Sequence, residues 1–63
     1  MGVTVPLADQ IACVRREIGQ RERVYPRLVE ARKMTQDKAD AELRCMKAVL
    51  ATLEDIEKKD RLV

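Results

Sequence analysis

Apolar residues recur along the first half of the chain at alternating intervals of four and three positions. This spacing keeps one narrow stripe of a helix turned toward a partner helix. It predicts a first helix over about residues 5–31, with a stripe formed by Leu7, Ile11, Val14, Ile18, Arg21, Tyr25 and Leu28. Pro26 is expected to kink or break this helix between Glu22 and Tyr25, because proline cannot donate the backbone hydrogen bond to Glu22.

The same rhythm returns in the second half of the chain. It predicts a second helix over about residues 35–61, with a stripe formed by Ala39, Leu43, Met46, Leu50 and Leu53. Residues 32–34, between the helices, are too few for anything but a tight turn. The predicted fold class is therefore all-α: one antiparallel two-helix hairpin of coiled-coil type, covering residues 1–63 as a single domain.

Local signals mark the ends of these helices. Thr4 and Thr35 each stand just before a predicted helix, where a hydroxyl can accept a hydrogen bond from a free backbone N–H, so both are expected N-caps. The turn holds no glycine. We therefore expect Arg32 or Lys33 to adopt the left-handed conformation that usually ends a helix before a sharp turn.

The predicted register bears on the two cysteines. If the turn centres near residue 33, Ile18 faces Leu50 and Cys13 faces Glu54. Cys13 and Cys45 are then separated by about 13 Å along the hairpin axis. A disulfide needs a much shorter separation, so we expect free thiols within one chain. A disulfide between two chains remains open.

The amino-acid composition limits the classes of function that the chain could perform. The 63 residues include no histidine and only two glycines, so the chain offers neither an imidazole for acid–base chemistry nor a glycine-rich loop for phosphate. Cys13 and Cys45 have no visible base beside them. We expect no enzyme activity, no cofactor and no metal. With no apolar run long enough to cross a membrane and no signal-peptide pattern, the chain is expected to be cytoplasmic.

A single hairpin leaves apolar residues uncovered. The residues expected partly outside the seam between the two helices are Val24, Val29, Val49 and Ile56, together with the terminal Val3, Val5, Leu62 and Val63. A short chain without a disulfide or a metal is marginally stable as a monomer. We therefore predict a homodimer in which two hairpins form a four-helix bundle. A hairpin docked on a different protein would satisfy the same residues.

Two stripe residues are not plain hydrophobes. Arg21 is expected to lay its stem along Met46 and reach Glu17 or Glu42 with its guanidinium. The open alternative is a buried polar contact that fixes helix register. Tyr25, the only aromatic residue, is expected to pack in the seam with its hydroxyl at the edge, and the alternative is an exposed anchor for a partner.

The first helix is also rich in arginine, which suggests an alternative function. A strip that could contact phosphates comprises Arg15, Arg16, Arg23 and Arg27. Such charges supply much of the affinity of proteins for duplex DNA. Interleaved Glu17, Glu22 and Glu30, and the lack of an aromatic stacking platform, instead favour a solvated helix face. A nucleic-acid-binding accessory protein is therefore the second hypothesis.

Several short segments carry a resemblance to a known group of proteins. They are Val24-Tyr25-Pro26, Met34-Thr35-Gln36, Lys38-Ala39-Asp40 and the run from Met46 to Leu53. Over about half of the chain, this pattern resembles small uncharacterised helical proteins encoded in bacteriophage and prophage genomes. The resemblance implies a phage or prophage setting and no particular reaction. The leading hypothesis is a non-enzymatic interaction module that contacts an unknown phage or host protein.

Overall fold

Two helices joined by a short turn make up residues 4–61, the part of the chain that the computed structural model describes. Helix α1 spans Leu7–Glu30 and helix α2 spans Gln36–Arg61, and no strand occurs in that part of the chain. The helices lie side by side in a molecule measuring 47 × 27 × 17 Å, so the fold is one helix thick. The predicted all-α hairpin is confirmed. Residues 1–3, 62 and 63 of the predicted domain lie outside the described residues.

The seam between the helices is built from the two predicted stripes. Ile11, Ile18 and Ala39 are the buried apolar residues. The other stripe residues are half-buried: Leu7, Val14, Arg21, Tyr25, Leu28, Leu43, Met46, Leu50 and Leu53. Burying one isoleucine side chain contributes about 1.5–3 kcal/mol, so this seam is the main source of cohesion in the hairpin.

The start of α1 differs from the prediction. The helix begins at Leu7, and Pro6 occupies the N-cap position with φ −55° and ψ 144°. The carbonyl of Pro6 accepts hydrogen bonds from the N–H groups of Asp9 and Gln10, at 3.0 and 3.1 Å. The prediction of Thr4 as N-cap is wrong, because a residue that precedes proline is pushed out of the helical conformation and Val5 therefore cannot lie in the helix.

Pro26 does not break α1. The α-helix is continuous from Leu7 to Glu30 with Pro26 inside it, so the helix does not break between Glu22 and Tyr25. The other predicted outcome, a kink there, stays a prediction. Proline removes a single backbone hydrogen bond, and Pro26 is exposed to solvent. Tyr25 and Leu28, on either side of it, are held in the seam, and their packing carries the helix past the lost bond.

The turn that follows α1 has the hydrogen bonds of a Schellman motif. The N–H of Lys33 donates to the carbonyl of Leu28 at 2.8 Å, and the N–H of Arg32 donates to the carbonyl of Val29 at 3.0 Å. This pair of bonds requires a left-handed residue just after the helix. Arg32, one of the two residues predicted for this role, is that residue, with φ 59°. A residue with a β-carbon is strained in this conformation, by about 1–2 kcal/mol.

Helix α2 begins with the predicted cap. The hydroxyl oxygen of Thr35 accepts a hydrogen bond from the N–H of Lys38 at 3.1 Å. The carbonyl of Thr35 accepts a second bond, from the N–H of Ala39 at 3.0 Å. Thr35 therefore fixes where α2 starts, and together with Arg32 it sets the direction in which the chain returns along α1.

Candidate interaction surface

One flank of the hairpin is closed by ion pairs between the helices. Arg15 Nη2 lies 2.5 Å from Glu54 Oε2, and Lys47 Nζ lies 3.2 Å from Glu22 Oε2. The two partners on each helix are seven residues apart, so they stand in one row along that helix. We call this flank the closed face. The first ion pair also bears on the predicted register, which placed Cys13 opposite Glu54. Arg15 reaches Glu54 instead, so the observed pairing lies within two residues of the predicted one.

The opposite flank carries rows with the same seven-residue spacing but a different chemistry. On α1 the row comprises Gln10, Glu17 and Val24, and on α2 it comprises Glu42, Val49 and Ile56. No ion pair joins the two helices on this side within residues 4–60. We call this flank the open face.

The open face exposes large apolar side chains. Val24 is 40% exposed, Val49 43% and Ile56 44%. Val5 is 49% exposed and belongs to the same side, because it lines a groove with Val49. These four are the exposed large hydrophobic residues of the described chain. Val5 and Val49 line one groove, and an apolar groove is typical of a site that another molecule covers.

The groove lies between the first half of α1 and the second half of α2, away from the turn. It has a volume of about 550 Å³, and its lining comprises Val5, Asp9, Gln10, Cys13, Val14, Val49 and Leu53. The side-chain amide of Gln10 donates a hydrogen bond to the carbonyl of Val5 at 2.9 Å. That bond ties the segment before α1 to the helix and holds Val5 at the edge of the groove. Asp9 is the one charged residue in the lining.

The end of the open face nearest the turn is polar and electrically balanced. Arg21 Nη1 lies 2.7 Å from Glu17 Oε2, which was one of the two predicted partners, and Lys38 Nζ lies 3.0 Å from Glu42 Oε1. The hydrogen bond with Glu17 raises the pKa of Arg21. The hydrogen bond with Glu42 raises the pKa of Lys38. Each pair joins one cation to one carboxylate, so the charges of the two pairs cancel.

The predicted interface residues divide between the two faces. Val24, Val49 and Ile56 share the open face. Val29 does not, because it stands one heptad after Glu22 and lines a cleft on the closed side with Pro26 and Ala39. It is also half-buried. The sequence placed Val5 partly outside the seam but did not count it among the interface residues. It joins the open face, and the signal that could have shown this was Gln10, one turn into α1 and able to bond back to it.

The arginine strip is divided as well. Arg15 is held by Glu54 on the closed face. Arg16, Arg23 and Arg27 are exposed on the side of α1 that faces away from α2, and none of them has an ionic partner among the described residues. Two of the three acids interleaved with the strip are engaged elsewhere, Glu17 by Arg21 and Glu22 by Lys47, whereas the exposed Glu30, one turn after Arg27, is in none of the ion pairs of the described residues. Three exposed guanidiniums without an ion-pair partner therefore lie on the outer side of α1.

The remaining chemistry of the described residues is sparse. Cys13 and Cys45 are both exposed and free. No group of three or more cysteine, aspartate or glutamate residues in residues 4–60 is arranged to hold a metal ion. Neither helix, over its described length, has a stretch long and apolar enough to cross a membrane.

The chain matches no protein-family model, no curated protein and no solved structure.

Proposed function

We propose that this chain is a non-enzymatic helical interaction module that acts through protein–protein contacts made by its open face. The observation that carries the proposal is the asymmetry of the hairpin. Among the described residues, the exposed large hydrophobic ones, Val5, Val24, Val49 and Ile56, all lie on the flank that no ion pair between the helices covers. An apolar row beside a polar, solvated row is the usual pattern of a helix pair that is completed by further helices.

The first contact that we propose is with a second copy of the chain, in a homodimer whose two hairpins form a four-helix bundle. The described part of a single hairpin buries only Ile11, Ile18 and Ala39. A chain of 63 residues with so thin a core needs a further stabilising contact, and association supplies one. Two open faces brought together would place Val49 and Ile56 of each copy inside the bundle.

The setting of the module follows from the resemblance to phage and prophage proteins. In that setting, the assembled module would hold or block a phage or host protein rather than transform a metabolite. The exposed free thiols of Cys13 and Cys45 fit a reducing compartment, which is the basis for proposing that it works in the cytoplasm.

The test is sedimentation of the purified chain over a range of concentrations, together with two variants that each carry one substitution. Val49→Glu places a charge on the open face, and Ala48→Glu places the same charge one residue away, on the exposed outer side of α2. We expect the wild type and Ala48→Glu to dimerise at micromolar concentration and Val49→Glu to stay monomeric. A wild-type chain that remains monomeric at hundreds of micromolar would contradict the proposal.

The second candidate function is binding of nucleic acid through the outer row of α1, and one observation favours it. Arg16, Arg23 and Arg27 have no ionic partner in the described chain, although the sequence places acids between them. Unpaired guanidiniums at helical spacing can each neutralise one phosphate and release its counterions.

Salt dependence tests this candidate. Duplex DNA should bind the wild type with an affinity that falls steeply with salt, and replacing the three arginines by glutamine should reduce the slope of log affinity against log salt by about 3. The matched control replaces Arg44, Lys58 and Lys59 of α2 by glutamine, which removes the same charge from the other helix. Equal losses in both variants, or no binding at low salt, would rule out a site on α1.

A further inference from the structure

The outer side of α1 carries a glycine that the hairpin itself does not require. Gly19 lies inside the helix, and its φ is not positive, so any residue could adopt its backbone conformation. A β-carbon built on Gly19 would meet nothing within 4 Å, so no packing contact excludes a side chain there. Glycine destabilises a helix interior relative to alanine. Neither the backbone nor the packing of the hairpin therefore accounts for Gly19, and the space above its backbone is open to another molecule.

Two arginines without an ionic partner stand on either side of this glycine. Arg16 precedes Gly19 by three residues and Arg23 follows it by four, so both are its neighbours on the helix surface. Both are exposed, and neither takes part in an ion pair of the described residues. Their α-carbons are about 10.5 Å apart along the axis, at a rise of 1.5 Å per residue. Two long side chains that lean toward each other over this distance can converge on one group above Gly19.

No carboxylate on the same side of α1 competes for these two arginines. The positions three and four residues before and after Arg16 and Arg23 hold alanine, cysteine, glycine, glutamine, proline and arginine. Arg27 differs, because Glu30 follows it by three residues and is its neighbour on the helix surface. The positive charge of the row is therefore least compensated around Gly19.

One further polar side chain belongs to this place. Gln20 is exposed, and it is a surface neighbour of both Arg16 and Arg23, four residues after the first and three before the second. Its amide can donate a hydrogen bond to an anion that the two guanidiniums hold. We call the site formed by Arg16, Gly19, Gln20 and Arg23 the arginine saddle.

Resting on the second candidate function, we propose that the arginine saddle binds a backbone phosphate of duplex DNA, and that Gly19 lets this phosphate approach the helix backbone. A guanidinium matches phosphate oxygens with two parallel N–H bonds, and a glycine leaves room for a ligand close to the main chain. The only aromatic residue, Tyr25, lies half-buried in the seam, so the outer side of α1 has no ring on which an unpaired base could stack. A duplex also carries twice as many phosphates per unit length as one strand.

Filling the saddle without removing charge tests the proposal. Gly19→Gln adds a neutral side chain that favours the helix, and Ala48→Gln adds the same side chain on the exposed outer side of α2 as the matched control. We expect Gly19→Gln to raise the melting temperature, to weaken binding of a short DNA duplex about tenfold at low salt, and to reduce the slope of log affinity against log salt by about 1. Ala48→Gln should leave the affinity unchanged.

Single arginine substitutions place the centre of the site. Arg16→Gln and Arg23→Gln should each weaken duplex binding more than Arg27→Gln, because Glu30 already offsets part of the charge of Arg27. Equal losses from all three, with Gly19→Gln binding like the wild type, would overturn the saddle and leave the second candidate function standing. No binding of duplex DNA at low salt would overturn both.

Two competitors decide the class of ligand. A single strand of the same sequence should displace the duplex poorly, and so should polyglutamate at the same concentration of charge. A single strand that binds as tightly as the duplex would overturn the assignment to a duplex. Polyglutamate that displaces the duplex from the wild type, but binds Gly19→Gln weakly, would show that the saddle takes carboxylates of an acidic protein instead of phosphates.

Discussion

The closed and open faces of this hairpin are built on the same geometry and differ only in side-chain chemistry. On each face, either helix carries a row of residues spaced seven positions apart, beside the same seam. On the closed face, Arg15, Glu22, Lys47 and Glu54 pair across the seam. On the open face, Val49 and Ile56 have no comparable partner and stay exposed. A charged row can be satisfied within one chain, whereas an apolar row beside a narrow seam needs another surface to cover it.

The largest effect on stability is expected from a substitution in the seam, which both faces border. Ile18→Ala removes a buried side chain between the two rows and should lower the free energy of unfolding by about 3 kcal/mol. Chemical denaturation followed by far-ultraviolet circular dichroism measures the change. Because the seam supports both faces, dimerisation should weaken with it, and a loss below about 1 kcal/mol would mean that Ile18 does not anchor the helix pair.

The comparison between the faces is sharpened by one substitution made at two valines. Val49→Ala on the open face removes apolar surface that the dimer buries and should weaken association about tenfold. Val29→Ala on the closed face, which lies outside the proposed contact, should leave association unchanged and lower only the stability of the hairpin. Sedimentation equilibrium of the two variants measures both effects. Equal losses of association would show that the two faces are not distinct.

A substitution in the turn should change the stability of the hairpin and leave both faces intact. Arg32→Gly relieves a left-handed residue that carries a β-carbon and should raise the free energy of unfolding by about 1 kcal/mol. Thermal melting at a fixed protein concentration measures the gain. The dimer should be unaffected, so a change in association would mean that the turn takes part in the contact.

The smallest effect is expected from the ion pairs of the closed face. The Arg15 and Glu54 side chains are 60% and 42% exposed, so Glu54→Gln should cost about 0.2–1 kcal/mol. A double-mutant cycle with Arg15→Gln isolates the pair, and the coupling should shrink at high salt because exposed charges are screened. A coupling that survives molar salt would contradict the description of this flank as a solvated, polar row.

The sequence predicted the seam but not which flank is closed. The spacing of Ile11, Ile18 and Ala39 indicated which side of each helix is buried, because one helical period fixes a face. The cap at Thr35 followed equally directly from its hydroxyl, and the lack of glycine narrowed the left-handed residue to Arg32 or Lys33. These features depend on residues close together in the chain.

The parts that were missed depend on the contact between helices. Val29 was placed with Val24, Val49 and Ile56 because all four lie off the seam, and only the pairing of the helices shows that Val29 lies on the other flank. For the same reason, Glu22 was read as a neighbour of the arginines rather than as a partner of Lys47. The prediction of a kink or a break at Pro26 allowed for a break because it weighed one lost hydrogen bond without the packing of the neighbouring residues, and the helix does not break.

The most direct measurement of the central claim is methyl relaxation by nuclear magnetic resonance in the presence of a soluble paramagnetic agent. In one hairpin, Val49 and Ile56 are more than 40% exposed and Ile11 is buried. If a second copy covers the open face, the methyl groups of Val49 and Ile56 should be protected nearly as well as that of Ile11 at high protein concentration, and should lose that protection on dilution. Methyl groups that relax as rapidly as exposed ones at every concentration would contradict the account.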